Sequence, residues 1–94
     1  MIGLSYNKKG YMKTITYNNK QYKLPFAVSL PKDPTKEEIV RNRFGGDSCT
    51  LPAFAVAVYD VITGAELFQD YNTVRKGLDW FSKHFTKQYI VLLD

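Results

Sequence analysis

The chain has 94 residues, 45% of them hydrophobic and 15% aromatic, which is too apolar for a disordered protein and enough for one domain with one core. No apolar run approaches the roughly 18 residues of a membrane helix, and a single cysteine, Cys49, leaves no intramolecular disulfide and suits a reducing cytoplasm. The net charge of +4 is uneven: all six charged residues before Asp33 are lysines, whereas from Asp33 onward seven basic residues meet nine acidic ones, an asymmetry that points to a partner and not to a fold.

The first quarter predicts β structure. Ile2–Tyr6, Tyr11–Tyr17 and Gln21–Leu24 are the expected strands of a meander, with apolar and polar residues alternating at Thr14–Tyr17 and Gln21–Leu24. Two related stretches supply the turns, "YNKKGY" at 6–11 and "YNNKQY" at 17–22. Asparagine tolerates positive φ, and Gly10 suits the left-handed position that follows a turn. Pro25 and Pro31 then interrupt any ladder. Met12-Lys13-Thr14 has the form of a translation start, which makes residues 1–11 a candidate upstream extension. Nothing after Lys8 and Lys9 reads as a signal peptide.

The remainder predicts mainly helix. Asp33-Pro34-Thr35-Lys36-Glu37-Glu38 has the form of a helix start, with Thr35 and Glu38 as a capping box and Gly45-Gly46 as the stop after Arg43. Ser48 or Thr50 is the expected cap of a second helix with Pro52 in its first turn. From Ala53 to Ile62 that segment is apolar almost all round, the pattern of a central buried helix. Alternation at Phe54, Val56 and Val58, with Thr63-Gly64 as a turn, leaves a hairpin open. A third helix over Asn72–His84 is carried by Val74, Leu78, Phe81 and Phe85 on one face. Tyr89–Leu93 is an apolar run of strand length, expected to join the N-terminal strands. The fold class is therefore α+β, a small antiparallel sheet covered by about three helices.

Chemistry-bearing residues are few. Zinc needs three or four protein ligands, and Cys49 with His84 cannot supply them; no cofactor is expected. The loop Gly45–Thr50 offers Gly45, Gly46, Ser48 and Thr50 as an anion site ahead of a helix, but lacks the lysine of a P-loop. A hydrolase would use Ser48 or Cys49 as nucleophile with His84 as base and Asp79 to orient it. The plainer reading is a connection in which glycines stop one helix and Asp47, Ser48 or Thr50 caps the next. His84 lies at a helix C-terminus, where its charged form is favoured, and Trp80 reads as core.

The two tyrosine-asparagine stretches give a nucleic-acid surface its ingredients. Tyr6, Tyr11, Tyr17 and Tyr22 could stack on bases while Lys8, Lys9, Lys20 and Lys23 track phosphates. Tyrosine is also a strand former and lysine a guard of exposed sheet edges, so two turns of a sheet explain the same residues.

From Arg43 on, "RFGGDSCTLPAFAVAVYDVITGAE", "VRKGLDWFSKHF" and the C-terminal "QYIVLLD" resemble small uncharacterised proteins of tailed, particularly marine, bacteriophages. The resemblance covers residues 43–94 and implies a small accessory protein in the cytoplasm of an infected bacterium, together with a helix over Ala53–Leu67. It brings no activity and assigns no residue a role. The leading expectation is a cytoplasmic, non-enzymatic protein acting through a protein partner or a homo-oligomer, with Phe26, Phe44, Phe54 and Phe68 as sources of an uncovered patch. Nucleic-acid binding comes second and a small hydrolase third. No membrane association and no disulfide-linked partner are expected.

Overall fold

The computed structural model describes residues 14–42 and 45–93. The expected strand Ile2–Tyr6 and the turn at Asn7–Gly10 lie outside the described residues, as do Tyr6, Lys8, Lys9, Tyr11 and Phe44. The fold is α+β. In chain order it runs β1 (Thr14–Tyr17), β2 (Lys20–Lys23), β3 (Glu37–Arg41), β4 (Ser48–Pro52), α1 (Ala53–Leu67), α2 (Tyr71–His84) and α3 (Thr86–Leu92). The strands form two antiparallel pairs, β1 with β2 and β3 with β4.

The β1–β2 hairpin forms as its local sequence dictates. Asn18 and Asn19 take φ of 52° and 63°, the pair of left-handed residues that a two-residue type I′ turn demands. Tyr17 then faces Lys20, and Ile15 faces Tyr22. Ile15 and Tyr22 are buried while Thr14, Thr16, Gln21 and Lys23 are exposed, so the alternation selects one inner face. That face packs on the helices: the Trp80 Nε1–H donates to the Lys23 carbonyl at 2.8 Å.

The helix start expected at 33–43 is a turn and a strand. The Asp33 carboxylate accepts from both the Thr35 N–H (3.1 Å) and the Thr35 hydroxyl (2.7 Å), and the Lys36 N–H closes on the Asp33 carbonyl. This is Asx-turn chemistry, which competes with helix capping for the same residues. Glu37–Arg41 then pairs with Ser48–Pro52, Ile39 opposite Thr50 and Val40 opposite Cys49. The β-branched Ile39-Val40 pair suits that role better than a helix interior.

The same turn starts α1. No side chain caps that helix, so neither Ser48 nor Thr50 does so. Instead the Ala53 N–H bonds to the Lys36 carbonyl and the Phe54 N–H to the Pro34 carbonyl, each at 2.8 Å. Two donors that every helix start leaves orphaned are thereby satisfied by backbone. The hairpin alternative for 53–68 is excluded. Phe54, Ala55, Val58 and Ile62 are fully enclosed, making α1 the central element of the core.

A tight connection turns α1 into α2. Gln69 takes φ 58°, while the Gln69 N–H bonds to the Glu66 carbonyl and the Asp70 N–H to that of Ala65, the two bonds of a Schellman ending. Asp70 then caps α2, accepting from the Thr73 N–H and hydroxyl. Of the face the spacing expected, Val74, Phe81 and Phe85 are buried and Leu78 is half-buried, with Trp80 buried beside them.

The C-terminal run is a helix and not a strand. A strand over Tyr89–Leu93 would place Ile90 and Leu92 on one face, yet Ile90 is 57% exposed and Leu92 only 6%. α3 follows α2 after Phe85, whose φ of −135° and ψ of 60° break the helix, and the Thr86 hydroxyl donates to the Ser82 carbonyl across the joint. It is fastened to the second hairpin by Asn42 Nδ2–H to the Val91 carbonyl (2.5 Å) and Gln88 Nε2–H to the Thr50 carbonyl (3.2 Å).

Candidate functional site

Four places could carry chemistry or binding, and packing decides among them. On the β1–β2 hairpin, Lys20 and Lys23 are exposed but Tyr22 is only 7% exposed. Its ring stacks on Phe85 at 5.5 Å, meets Phe54 at 5.3 Å and has the Lys20 ammonium 5.4 Å from its centroid. A base therefore finds no open face on Tyr22. Tyr17 is half-buried, and its hydroxyl donates to Glu37 Oε2 at 2.6 Å. Loss of that proton would break a bond to a carboxylate, so ionisation of Tyr17 is pushed up to about 12, with burial adding to the effect. Both tyrosines hold the hairpin down, a role invisible in residue composition.

The Gly45–Thr50 stretch holds the end of the turn from β3 and the first three residues of β4. The Gly45 N–H donates to Asn42 Oδ1 and the Gly46 N–H to the Asn42 carbonyl, while Gly46 supplies a φ of 82° for the turn. Ser48 and Thr50 lie on β4, and the first donors of α1 are already bonded to the 34–36 turn. The Gly45 and Gly46 donors are thus engaged by Asn42, while Ser48 and Thr50 remain exposed on β4.

Among the described residues no side-chain hydrogen bond joins Ser48 or Cys49 to His84, or His84 to Asp79. Burial pushes the Cys49 thiol up, against thiolate formation. His84 packs on Tyr22 and Trp80 at 5.4 and 5.3 Å, and burial, then Lys20 and Lys83, depress its pKa. The direction is opposite to the gain in charged form expected from the helix terminus. A mixed cleft of about 550 Å³ borders His84, with Tyr17, Glu37, Lys87 and Gln88 on its walls. Its carboxylate, Glu37, is engaged by Tyr17. Among the described residues no group of three His, Cys, Asp or Glu side chains could hold a metal ion, and no helix is long and apolar enough to cross a membrane.

The fourth place is the outer side of α1. At the α1–α2 corner Leu67, Phe68 and Tyr71 are 76%, 85% and 61% exposed. Of the phenylalanines expected in an uncovered patch, Phe54 is fully buried and Phe26 half-buried; Phe68 is open. From Phe68 a groove runs back along α1 beneath a strap of residues 26–31. One stretch, about 570 Å³, has Phe26 and Ala27 on one wall and Val61, Gly64 and Ala65 on the other, with Asp70 at its end. The next, about 450 Å³, sets Leu30 and Pro31 against Val56, Ala57 and Val61, with Glu38 and Asp60 beside them. The two stretches share Val61, and among the described residues neither is lined by a lysine or arginine.

Sequence reasoning missed this groove. Its one visible sign was the period-two pattern Phe26-Ala27-Val28-Ser29-Leu30 between two prolines. Comparisons of the chain with protein-family models, curated proteins and solved structures find no match. What the protein does has to come from its own surface.

Proposed function

We propose that the protein is a non-enzymatic binding protein that contacts another protein chain, a second copy included, through the α1–α2 corner and the adjoining groove. The observation that carries this is Phe68, 85% exposed beside the open Leu67 and Tyr71. Full burial of a phenylalanine is worth roughly 1.5–3 kcal/mol, so three large apolar groups left in water at one corner mark a surface made to be covered. The resemblance of residues 43–94 to small bacteriophage proteins suits an accessory role of this kind in an infected bacterial cytoplasm.

A photo-crosslinking residue placed at Phe68 and, separately, at Lys83 tests the reading. In purified protein and in lysate, the position-68 probe is expected to give a discrete adduct that excess unlabelled protein competes away, and the position-83 probe none. No saturable adduct at 68, together with a constant one-chain mass by light scattering across a dilution series, would contradict it.

A further inference from the structure

We infer that the groove between the Phe26–Leu30 strap and α1 receives an extended, basic segment of a partner protein, which adds to the strap as a β-strand. The inference rests on the binding function proposed above and names the chemistry of the partner.

The strap behaves as a strand that lacks a sheet. Phe26, Val28 and Leu30 are half-buried against the core while Ala27, Ser29 and Pro31 are exposed, the period-two exposure of a strand with one face inward. Yet among the described residues no backbone group from Phe26 to Leu30 is hydrogen-bonded to another backbone group. A segment fixed on one face by packing, with its N–H and C=O groups unpaired, is a template for strand addition. Pro25 and Pro31 bracket it. Neither has an N–H to offer, so the template extends over five residues and suits a partner stretch about 17–20 Å long.

The opposite wall fixes what that stretch carries. Val56, Ala57, Val61 and Gly64 are small or β-branched and give a strand space against α1. Among the described residues the charges lining the groove are Glu38, Asp60 and Asp70. Asp60 has Glu38 as its charged neighbour, and burial and that like charge both raise its pKa. Lysine or arginine at alternate positions of the incoming strand relieves this repulsion, its alkyl stem lying on the apolar wall. An acidic strand is repelled by the same groups, so the groove selects by charge as well as by backbone.

Fluorescence anisotropy of the whole protein with three labelled octapeptides tests this. One alternates lysine and valine, the second replaces lysine by glutamate, and the third is the lysine peptide N-methylated at alternate residues. Binding is expected for the first, with a loss of at least about tenfold for the others, because one lacks the charge and the other the ladder donors. The double variant Glu38→Gln, Asp60→Asn is expected to weaken binding several-fold, and the control Glu66→Gln, Asp79→Asn to leave it unchanged. No binding of the lysine peptide, or equal binding of the N-methylated one, would overturn the inference. If a saturable adduct at position 68 persists in that case, the binding function stands and strand addition alone is lost.

Discussion

The two sides of α1 are built on opposite terms. On the inner side Phe54, Val58 and Ile62 meet Tyr22, Trp80, Phe81 and Phe85 in a cluster without exposed apolar surface. The edge-on and stacked ring pairs there, at 5.3–6.3 Å, add to the burial of area itself. On the outer side small residues face a strap whose backbone makes no ladder among the described residues. One helix thus supplies both the core and the open wall, and the same kind of residue has opposite consequences on its two sides.

The largest expected effect lies inside. Phe54→Ala removes the ring that touches Tyr17, Tyr22, Trp80 and Phe85, and a loss of about 3–5 kcal/mol is expected in urea unfolding. A loss below about 1 kcal/mol would mean that the core does not centre on α1.

Next come two glycines that sharpen the contrast. A Cβ on Gly77 would overlap the Ile62 side chain inside the α1–α2 contact, whereas one on Gly64 meets nothing within 4 Å. Gly77→Ala should therefore cost roughly 1–3 kcal/mol by overpacking. Gly64→Ala should gain about 0.5–1 kcal/mol from helix propensity while narrowing the groove and weakening the lysine–valine peptide. Equal effects of the two substitutions on thermal unfolding would contradict the packing described.

The smallest effect is pH-dependent. Burial, Lys20 and Lys83 hold the folded pKa of His84 below its ordinary 6.5, so the unfolded chain binds this proton more readily. The stability contributed by neutral His84 is fully present above pH 6.5 and is lost as pH falls from there to the lower folded value. His84→Gln should flatten that part of the stability profile; an unchanged slope would place the sensitivity elsewhere.

Much of the inner side was legible in the sequence, because its signals are local or strongly periodic. The YNNK turn needs two positive-φ residues and has two asparagines, and the Val74-Leu78-Phe81-Phe85 spacing fixes a helical face. Where the reading failed, two structures competed for one signature. Asp33-Pro34-Thr35 can cap a helix or close an Asx turn, and the pairing of Glu37–Arg41 with Ser48–Pro52, further along the chain, decided for the turn. The apolar run Tyr89–Leu93 is too short to reveal a period by itself. The bonds of α3, from Asn42 to Val91 and from Gln88 to Thr50, supply what the run alone lacks. The groove was illegible for a different reason. It is defined by a ladder that Phe26–Leu30 does not make among the described residues, and a sequence shows only which strands are possible.

Native-state hydrogen exchange at the amides of Phe26–Leu30 tests the open side most directly. In the free protein those amides are expected to exchange at rates typical of surface loops while Val58 and Ile62 stay protected, and adding the lysine–valine peptide should slow them selectively. Strap amides as protected as those of α1 in the free protein would show that the ladder is already made, and the groove would then have no strand to receive.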